Sequence, residues 1–490
     1  MLNKQLILKS FVLALIIKGI IFIVFSISFH NNWKKPSNYL FVSSKDYGSY
    51  IVPSENLINH GMLYEASRSR GKLFSYKMPG MAPIYAPLYA FFGREIALNI
   101  LIVFQFFADV ISVALLSLIA AQLLKSTKMF WITFCIYAFS TSVSLYTHFA
   151  LSELFCTFFI IVSVFYFLKA LTTERWIFYC TSGFFITWAL FFRPTCGVFL
   201  AIYPLIILLS KVKSTSFNTI VKKSMLFLLP FILLESTWII RNYHVSDEFV
   251  PLESSREDFG TPQTIAIFKM IQAWGGDIQS WNSRSEAKWF FKQKYTEHVS
   301  IEELQKFSFP SHLLFKPEFI ETFNQLKKNY TLPGKTLSRS QRDSISNSIV
   351  NTINIFIKNY KSEYPFRYYV VAPIKLMIQL VFPSDTYNLP FVTNSFLHKS
   401  LRIISLLSYY LVIISAIMGI FICLIYETNV VFKCISLFPV LHVLAIGAIM
   451  RMPESRYMVP VFPILTIYAA YFFYATGEKY FSSKRAIISQ

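Results

Sequence analysis

Charge is what this sequence has least of. Only 15% of its 490 residues are Asp, Glu, Lys or Arg, where a soluble domain carries about 25%, so an ordinary water-soluble enzyme of this length is excluded. Acids are the scarcer sign, 26 against 46 bases. Cysteine is sparse as well. Cys135, Cys156, Cys180, Cys196, Cys423 and Cys434 all lie within apolar stretches and none has metal-type spacing, so neither a disulfide framework nor a thiolate metal centre is implied. No glycine-rich loop of the kind that cradles phosphates is present, which argues against a nucleotide-binding site of that type. Repeats and low-complexity tracts are also missing.

What fills the chain instead is apolar. Hydrophobic residues make up 54%, Phe alone contributes 51, and the mean hydropathy is +0.49. Apolar runs of about 20 residues, enough to cross roughly 30 Å of hydrocarbon, recur along it. Backbone within a bilayer must satisfy its own hydrogen bonds, so the expected fold class is an all-α polytopic membrane protein. Ten spans are expected, at about 8–29, 97–123, 130–149, 154–170, 176–192, 195–210, 224–240, 401–425, 430–450 and 457–475. The first run is too long for a signal-peptide core and lacks a small-x-small site, so it is read as a retained span.

The net charge of +20 does not call for nucleic acid, because many of the bases flank spans: Lys125, Lys128, Lys211, Lys213, Lys222, Lys223, Lys484 and Arg485. With both termini inside, the loops 125–128, 169–175 and 211–223 all fall on the cytoplasmic side, as positive-inside bias demands. Residues 30–95 and 241–365 then face outward. Expected domains are an N-terminal membrane module, 1–240, containing the first outer loop 30–95; an outer soluble domain and interfacial segment, 241–400; and C-terminal spans with a tail, 401–490. The outer domain is expected to be small and mostly helical, with 330–347 as an exposed loop. The run Tyr368 to Phe382 is apolar but short, and Pro373 and Lys375 interrupt it, so it is placed in or near the interface rather than across the membrane.

Two ionisable groups fall within spans. Lys18 and Asp109 each lie near the middle of an apolar helix, where a lone charge costs about 2.5–3.5 kcal/mol or more. A buried pair joining the first two spans is the expectation, with a proton or ion pathway as the transporter alternative.

Asp46 follows the first span. Beyond it Tyr47, Tyr50, Ile51, Leu57 and Ile58 recur at helical spacing and Gly61 is placed to end the helix, so a surface amphipathic helix with Asp46 at its start is expected. Asp is also a common helix cap, and that bland role is the alternative. Further on come Pro79-Gly80 and Leu88-Tyr89-Ala90-Phe91-Phe92-Gly93, immediately before the second span. Ser152-Glu153, Arg193-Pro194-Thr195, Arg241-Asn242, Phe249-Val250-Pro251-Leu252 and Glu454-Ser455-Arg456-Tyr457-Met458-Val459-Pro460 follow in order. In this series the chain resembles the polytopic glycosyltransferases of the GT-C superfamily, specifically the bacterial relatives of protein O-mannosyltransferases and of the lipid A aminoarabinose transferase. It departs from many mannosyltransferases in having Tyr47 where a second acid would follow the first.

The resemblance implies a GT-C-type bundle of about ten spans, with interfacial helices in the first outer loop. It implies a multi-pass protein of the bacterial inner membrane with its active site on the outer face. There a sugar would pass, with inversion, from a polyprenyl-phosphate donor to a glycolipid, glycan or protein acceptor. Asp46 is the candidate general base. Arg456, Lys77 and Arg241 are candidates to bind the donor phosphate. Glu153 is a second acidic or metal candidate, and a divalent cation such as Mg or Mn is left open as cofactor. The rivals are a polysaccharide polymerase or ligase, and a lipid-linked oligosaccharide transporter or flippase.

Overall fold

A computed structural model describes residues 4–30, 40–44, 46–67, 71–75, 77–211, 215–253, 262–280, 282–294, 299–331, 339–383 and 396–488. Its internal contacts divide the chain into two units, one of Met1–Glu257, Leu389–His442 and Met458–Gln490, the other of Asp258–Asn388 and Val443–Tyr457.

The first unit opens with the apolar helix α1 (Lys4–His30). Helix α2 (Tyr47–His60) follows, and a short antiparallel hairpin, β1 (Glu65–Ser67) with β2 (Gly71–Leu73). Gly61 ends α2 as expected, in the left-handed region with φ 70° and its N–H on the Leu57 carbonyl. Of the α2 residues expected to pattern its apolar side, Ile51 is buried but Ile58 is 44% exposed, and Glu55 lies on the buried face. Helix α3 (Ala82–Leu124) is broken at Gly93, whose φ of 71° and ψ of 173° suit glycine alone. The arm before Gly93 precedes the second expected span, and the arm after it contains that span. Then come α4 (Thr127–Phe139), α5 (Glu153–Thr173), α6 (Trp176–Phe192), α7 (Val198–Lys211) and α8 (Phe217–Ser246).

The second unit is helical: α9 (Pro262–Ala273), α10 (Glu286–Lys292), α11 (Ile301–Lys306), α12 (Ser311–Leu314), α13 (Pro317–Thr331), α14 (Arg339–Glu363) and α15 (Ala372–Val381). Its core is aromatic. Trp274, Trp289, Phe309, Phe323 and Phe356 gather in one buried cluster. Trp289 meets Phe309 edge to face at 5.4 Å, a geometry worth about 0.5–1.5 kcal/mol beyond burial. The expected loop 330–347 is shorter than its composition suggested. Thr331 closes α13 and Arg339 opens α14, because the apolar residues from Ile345 onward recur at helical spacing and pull the Ser-rich stretch before them into the helix; residues 332–338 lie outside the described residues.

The C-terminal helices are α16 (Phe396–Tyr426), α17 (Val430–Ile435), α18 (Leu437–Val443) and α19 (Phe462–Ile488). Gly419 brings α16 onto the Tyr468 carbonyl of α19 with no room for a side chain, the small-residue packing by which helices associate in lipid. By length and composition seven helical segments can cross a membrane, and Thr127–Phe139, Trp176–Phe192 and Pro194–Ser210 are shorter apolar helices. Nine of those segments overlie expected positions, but the third, expected over 130–149, is helical only to Phe139: Ser140 turns extended, and the chain continues as a link with a 3-10 turn at Ser144–His148. The architecture is an all-α polytopic membrane fold.

The expected pair between α1 and α3 is formed. Lys18 Nζ lies 3.3 Å from Asp109 Oδ2, both side chains almost wholly buried. It also donates to Ser144 Oγ at 2.7 Å and to the Ser140 carbonyl at 3.2 Å, while Ser144 Oγ donates to Asp109 at 2.6 Å. The pair therefore reaches beyond the two helices that carry it, into the link between α4 and α5.

Candidate active site around Asp46 and Glu153

The link between α4 and α5 runs beside the segment that precedes α2. Val42 N donates to the His148 carbonyl at 2.8 Å, and Val42 pairs in parallel with Phe149. His148 is buried, with its ring nitrogens 3.2 Å from the Leu40 and Phe22 carbonyls. Gln105 Nε2 of α3 donates to the Phe149 carbonyl at 2.9 Å. From that bridge the two strands diverge. Asp46 comes four residues after Val42 and Glu153 four after Phe149.

They do not separate far, because the helices they open touch. Ser152 Oγ lies 3.2 Å from Tyr50 Oη, one turn into α2, and 3.4 Å from Glu153 Oε2. Glu153 in turn is 3.4 Å from Arg193 Nη1 at the end of α6, with side-chain exposures of 1% and 6%. One corner of the first unit thus gathers the starts of α2 and α5 and the end of α6. Asp46 precedes α2, yet its carboxylate makes no capping hydrogen bond to that helix. By position it is still the N-cap residue, its carbonyl accepting from Ser49 N at 3.1 Å.

The Pro79-Gly80 turn completes this corner. Gly80 N donates to the Phe191 carbonyl at 3.2 Å, and a Cβ on Gly80 would stand 2.6 Å from that oxygen. Only glycine lets the first outer loop approach the end of α6 so closely. Helix α2 is anchored separately through Glu55, which sequence reading missed. Tyr85 Oη donates to it at 3.1 Å, and Arg94 Nε lies 3.2 Å away. The only sequence sign of this was an acid on the apolar side of an amphipathic helix.

The predicted phosphate-binding bases have partners of different kinds. Arg241 on α8 donates to the Phe74 carbonyl at 2.6 Å, to Asn242 Oδ1 at 2.8 Å and to the Leu63 carbonyl, and lies over the Trp238 ring. It fastens both sides of the β1–β2 hairpin to α8. Lys77 Nζ is 3.5 Å from Glu253, a pair that is part-exposed. Arg456 belongs to the second unit, where it pairs with Glu454 two residues away and lies 5.9 Å from the Tyr457 ring. Among the described residues no three His, Cys, Asp or Glu side chains converge as a metal site needs. A divalent cation at Glu153 would have to displace the Arg193 guanidinium.

Among the described residues the second unit holds one strongly perturbed acid. Glu286 is buried, accepting from the Trp274 indole at 3.1 Å and from Asp277 N at 2.9 Å. Burial pushes its carboxyl up to about 8, against the pull of those hydrogen bonds. The folded state therefore holds a proton that the unfolded chain releases near pH 4.5. Stability is full below that pH, falls as pH rises toward 8, and is level beyond. Thermal melts of the full protein between pH 5 and 9 are expected to show a downward slope of up to about 1.4 kcal/mol per pH unit from this one proton. Glu286→Gln should remove that part of the slope, and an unchanged slope would refute the assignment.

The sequence matches no protein-family model and no curated protein. Its structure is similar to solved ones. The Archaeoglobus fulgidus oligosaccharyltransferase in the apo form superposes with a TM-score of 0.53 at 10% identity, covering 99% of this chain and 52% of that one. The same enzyme tethered to an acceptor peptide containing the NVT sequon gives 0.50 at 11% identity, covering 97% and 50%. A looser superposition on ArnT from Cupriavidus metallidurans in the apo state, TM-score 0.32 at 11% identity over 92% and 76%, is too weak to bear on the fold. This chain spans about half the length of the oligosaccharyltransferase it matches. At such low identity what is shared is the architecture, and the chain has the GT-C-type fold.

Proposed function

We propose that this protein is a membrane glycosyltransferase that moves a sugar from a polyprenyl-phosphate donor to a glycan, lipid or protein acceptor on the outer face of the membrane. The observation that carries the reading is the corner where Tyr50, Ser152, Glu153 and Arg193 meet, with Asp46 one turn before Tyr50 at the start of α2, all of them residues of the ordered motif series. The fold it shares with an oligosaccharyltransferase, itself solved with an acceptor peptide, supports a transferase.

In the proposed reaction the acceptor's nucleophile, a hydroxyl in the simplest case, attacks the anomeric carbon as the bond from that carbon to the phosphate oxygen breaks, inverting the centre in one displacement. The proton passes to Asp46. The departing polyprenyl phosphate gains negative charge, which a fixed cation stabilises. Lys77 is best suited of the candidates, because its carboxylate partner Glu253 is part-exposed and can be exchanged for a phosphate. Arg241, held by backbone carbonyls, orients the loop that carries Lys77. Arg456 stays a candidate phosphate ligand on its motif alone. Glu153, neutralised by Arg193, shapes the site rather than accepting a proton.

The test compares surface glycans, lipids and proteins by mass spectrometry in cells with and without this chain. Loss of one discrete sugar mass, with the sugar-charged polyprenyl phosphate accumulating on the outer leaflet, is the expected result. Unchanged sugar masses would sink the proposal. Donor trapped on the cytoplasmic leaflet would favour a flippase, and loss of whole polymers with their repeat units intact a polymerase or ligase.

A further inference from the structure

Residues 366–382 of the second unit present two unlike faces. Ala372, Pro373, Leu376 and Leu380 of α15 are buried. The opposite side exposes Ile374 by 46% and Ile378 by 54%, and the wide π-helical turn before it exposes Phe366 by 68% and Tyr369 by 64%. So much exposed apolar surface on one short element marks a contact with something other than water.

What it contacts follows from where α15 is clamped. On one side it presses on the Trp274-Gly275-Gly276 turn: a Cβ on Gly275 would stand 3.0 Å from the Ala372 carbonyl oxygen and from Lys375 Cβ, and Gln379 Nε2 donates to the Gly275 carbonyl at 3.2 Å. On the other side it presses on Gly447, where a Cβ would stand 3.0 Å from Met377 Cα. Gly447 lies in the last turns of Val430–Ile449, an apolar segment long enough to cross a membrane, and this end of that segment exposes Ile449 by 80% and Leu444 by 40%. The exposed face of α15 therefore belongs to an element packed against the exposed apolar stretch Leu444–Ile449 of the same unit.

We propose that residues 366–382 form an in-plane membrane anchor through which the second unit is seated in the bilayer. Ile374 and Ile378 enter the acyl region, and the exposed cations Arg367 and Lys375 beside them reach head-group phosphates, as amphipathic interfacial helices do. Pro373 and Lys375 fit a helix lying in the interface and not one that crosses it. The inference stands on packing within the second unit and does not depend on the proposed catalytic reading.

The full-length protein, reconstituted in nanodiscs, tests it. An environment-sensitive fluorescent amino acid replaces Ile374 or Ile378, with Glu302 of α11 as the control position, and the lipids carry bromine either near the head group or near the bilayer centre. Shallow bromines are expected to quench most of the emission at 374 and 378, deep bromines less, and neither the emission at 302. Equal quenching by neither lipid at all three positions would overturn the proposal. So would stronger quenching by deep bromines, the mark of a spanning helix. Energy transfer between labelled copies without lipid quenching would overturn it too, showing the face covered by a second copy.

Discussion

Asp46→Asn is expected to lower sugar transfer by about 10²- to 10⁴-fold, the contribution of a positioned general base, with protein in the membrane at native level. The substitution keeps shape and removes the proton acceptor. Stability should barely move, because Asn opens helices as well as Asp does and because the Asp46 carboxylate makes no capping hydrogen bond to α2. Glu153→Gln supplies the contrast. It removes the carboxylate that lies 3.4 Å from the nearly buried Arg193 guanidinium, a change that costs about 3–5 kcal/mol when one member of a buried pair is removed. The expected phenotype there is lost protein, not lost chemistry in surviving protein. Transfer rates normalised to the amount of folded protein separate the two. An Asp46→Asn variant that still transfers at near-native rate would take Asp46 out of the mechanism.

Removing Asp109 is expected to be as destabilising as removing Glu153. Asp109→Leu leaves the Lys18 ammonium among apolar helices with the Ser144 hydroxyl, the Ser140 carbonyl and the Tyr137 ring, but no carboxylate, to receive it, at a cost again of about 3–5 kcal/mol. The double variant Lys18→Met with Asp109→Leu should recover much of the loss, since a buried pair replaced by apolar groups of similar size is often close to neutral. Thermal stability in detergent, read for both singles and the double, measures the coupling. Equal losses in the single and the double would mean the pair is not what holds this region. A double variant that is stable and yet inactive would point the other way, to an ion pathway. Because Lys18 and Asp109 also hold Ser140 and Ser144, the single variants should disturb the link that leads to Ser152-Glu153 as well.

Much of the fold was legible in the chain itself. Span positions followed from runs of apolar residues, because hydrocarbon thickness sets helix length. Gly61 ended α2 where its conformational freedom foretold, and Lys18 found Asp109 because a membrane interior leaves an ionisable group little else to do. Gly80 and Gly93 belong to the motif series, but only the fold gives their reasons: one admits the Phe191 carbonyl, the other breaks a long helix. The Ser-rich stretch from Arg339 misled, since composition suggested a loop and helical periodicity further along extended α14 over it.

The sequence by itself determined that this is a polytopic all-α membrane protein, where most of its apolar helices lie, and that its buried charges must pair. Those are consequences of solvent: apolar length, the scarcity of charge and the cost of an unpaired ion act residue by residue and need no partner far along the chain. Only the tertiary structure decided which partners meet. That Glu153 faces Arg193, that Arg241 holds a hairpin, and that Tyr50 touches Ser152 are contacts between residues 40 to 178 positions apart. Such pairings depend on how helices cross and where loops return, which short-range pattern does not encode.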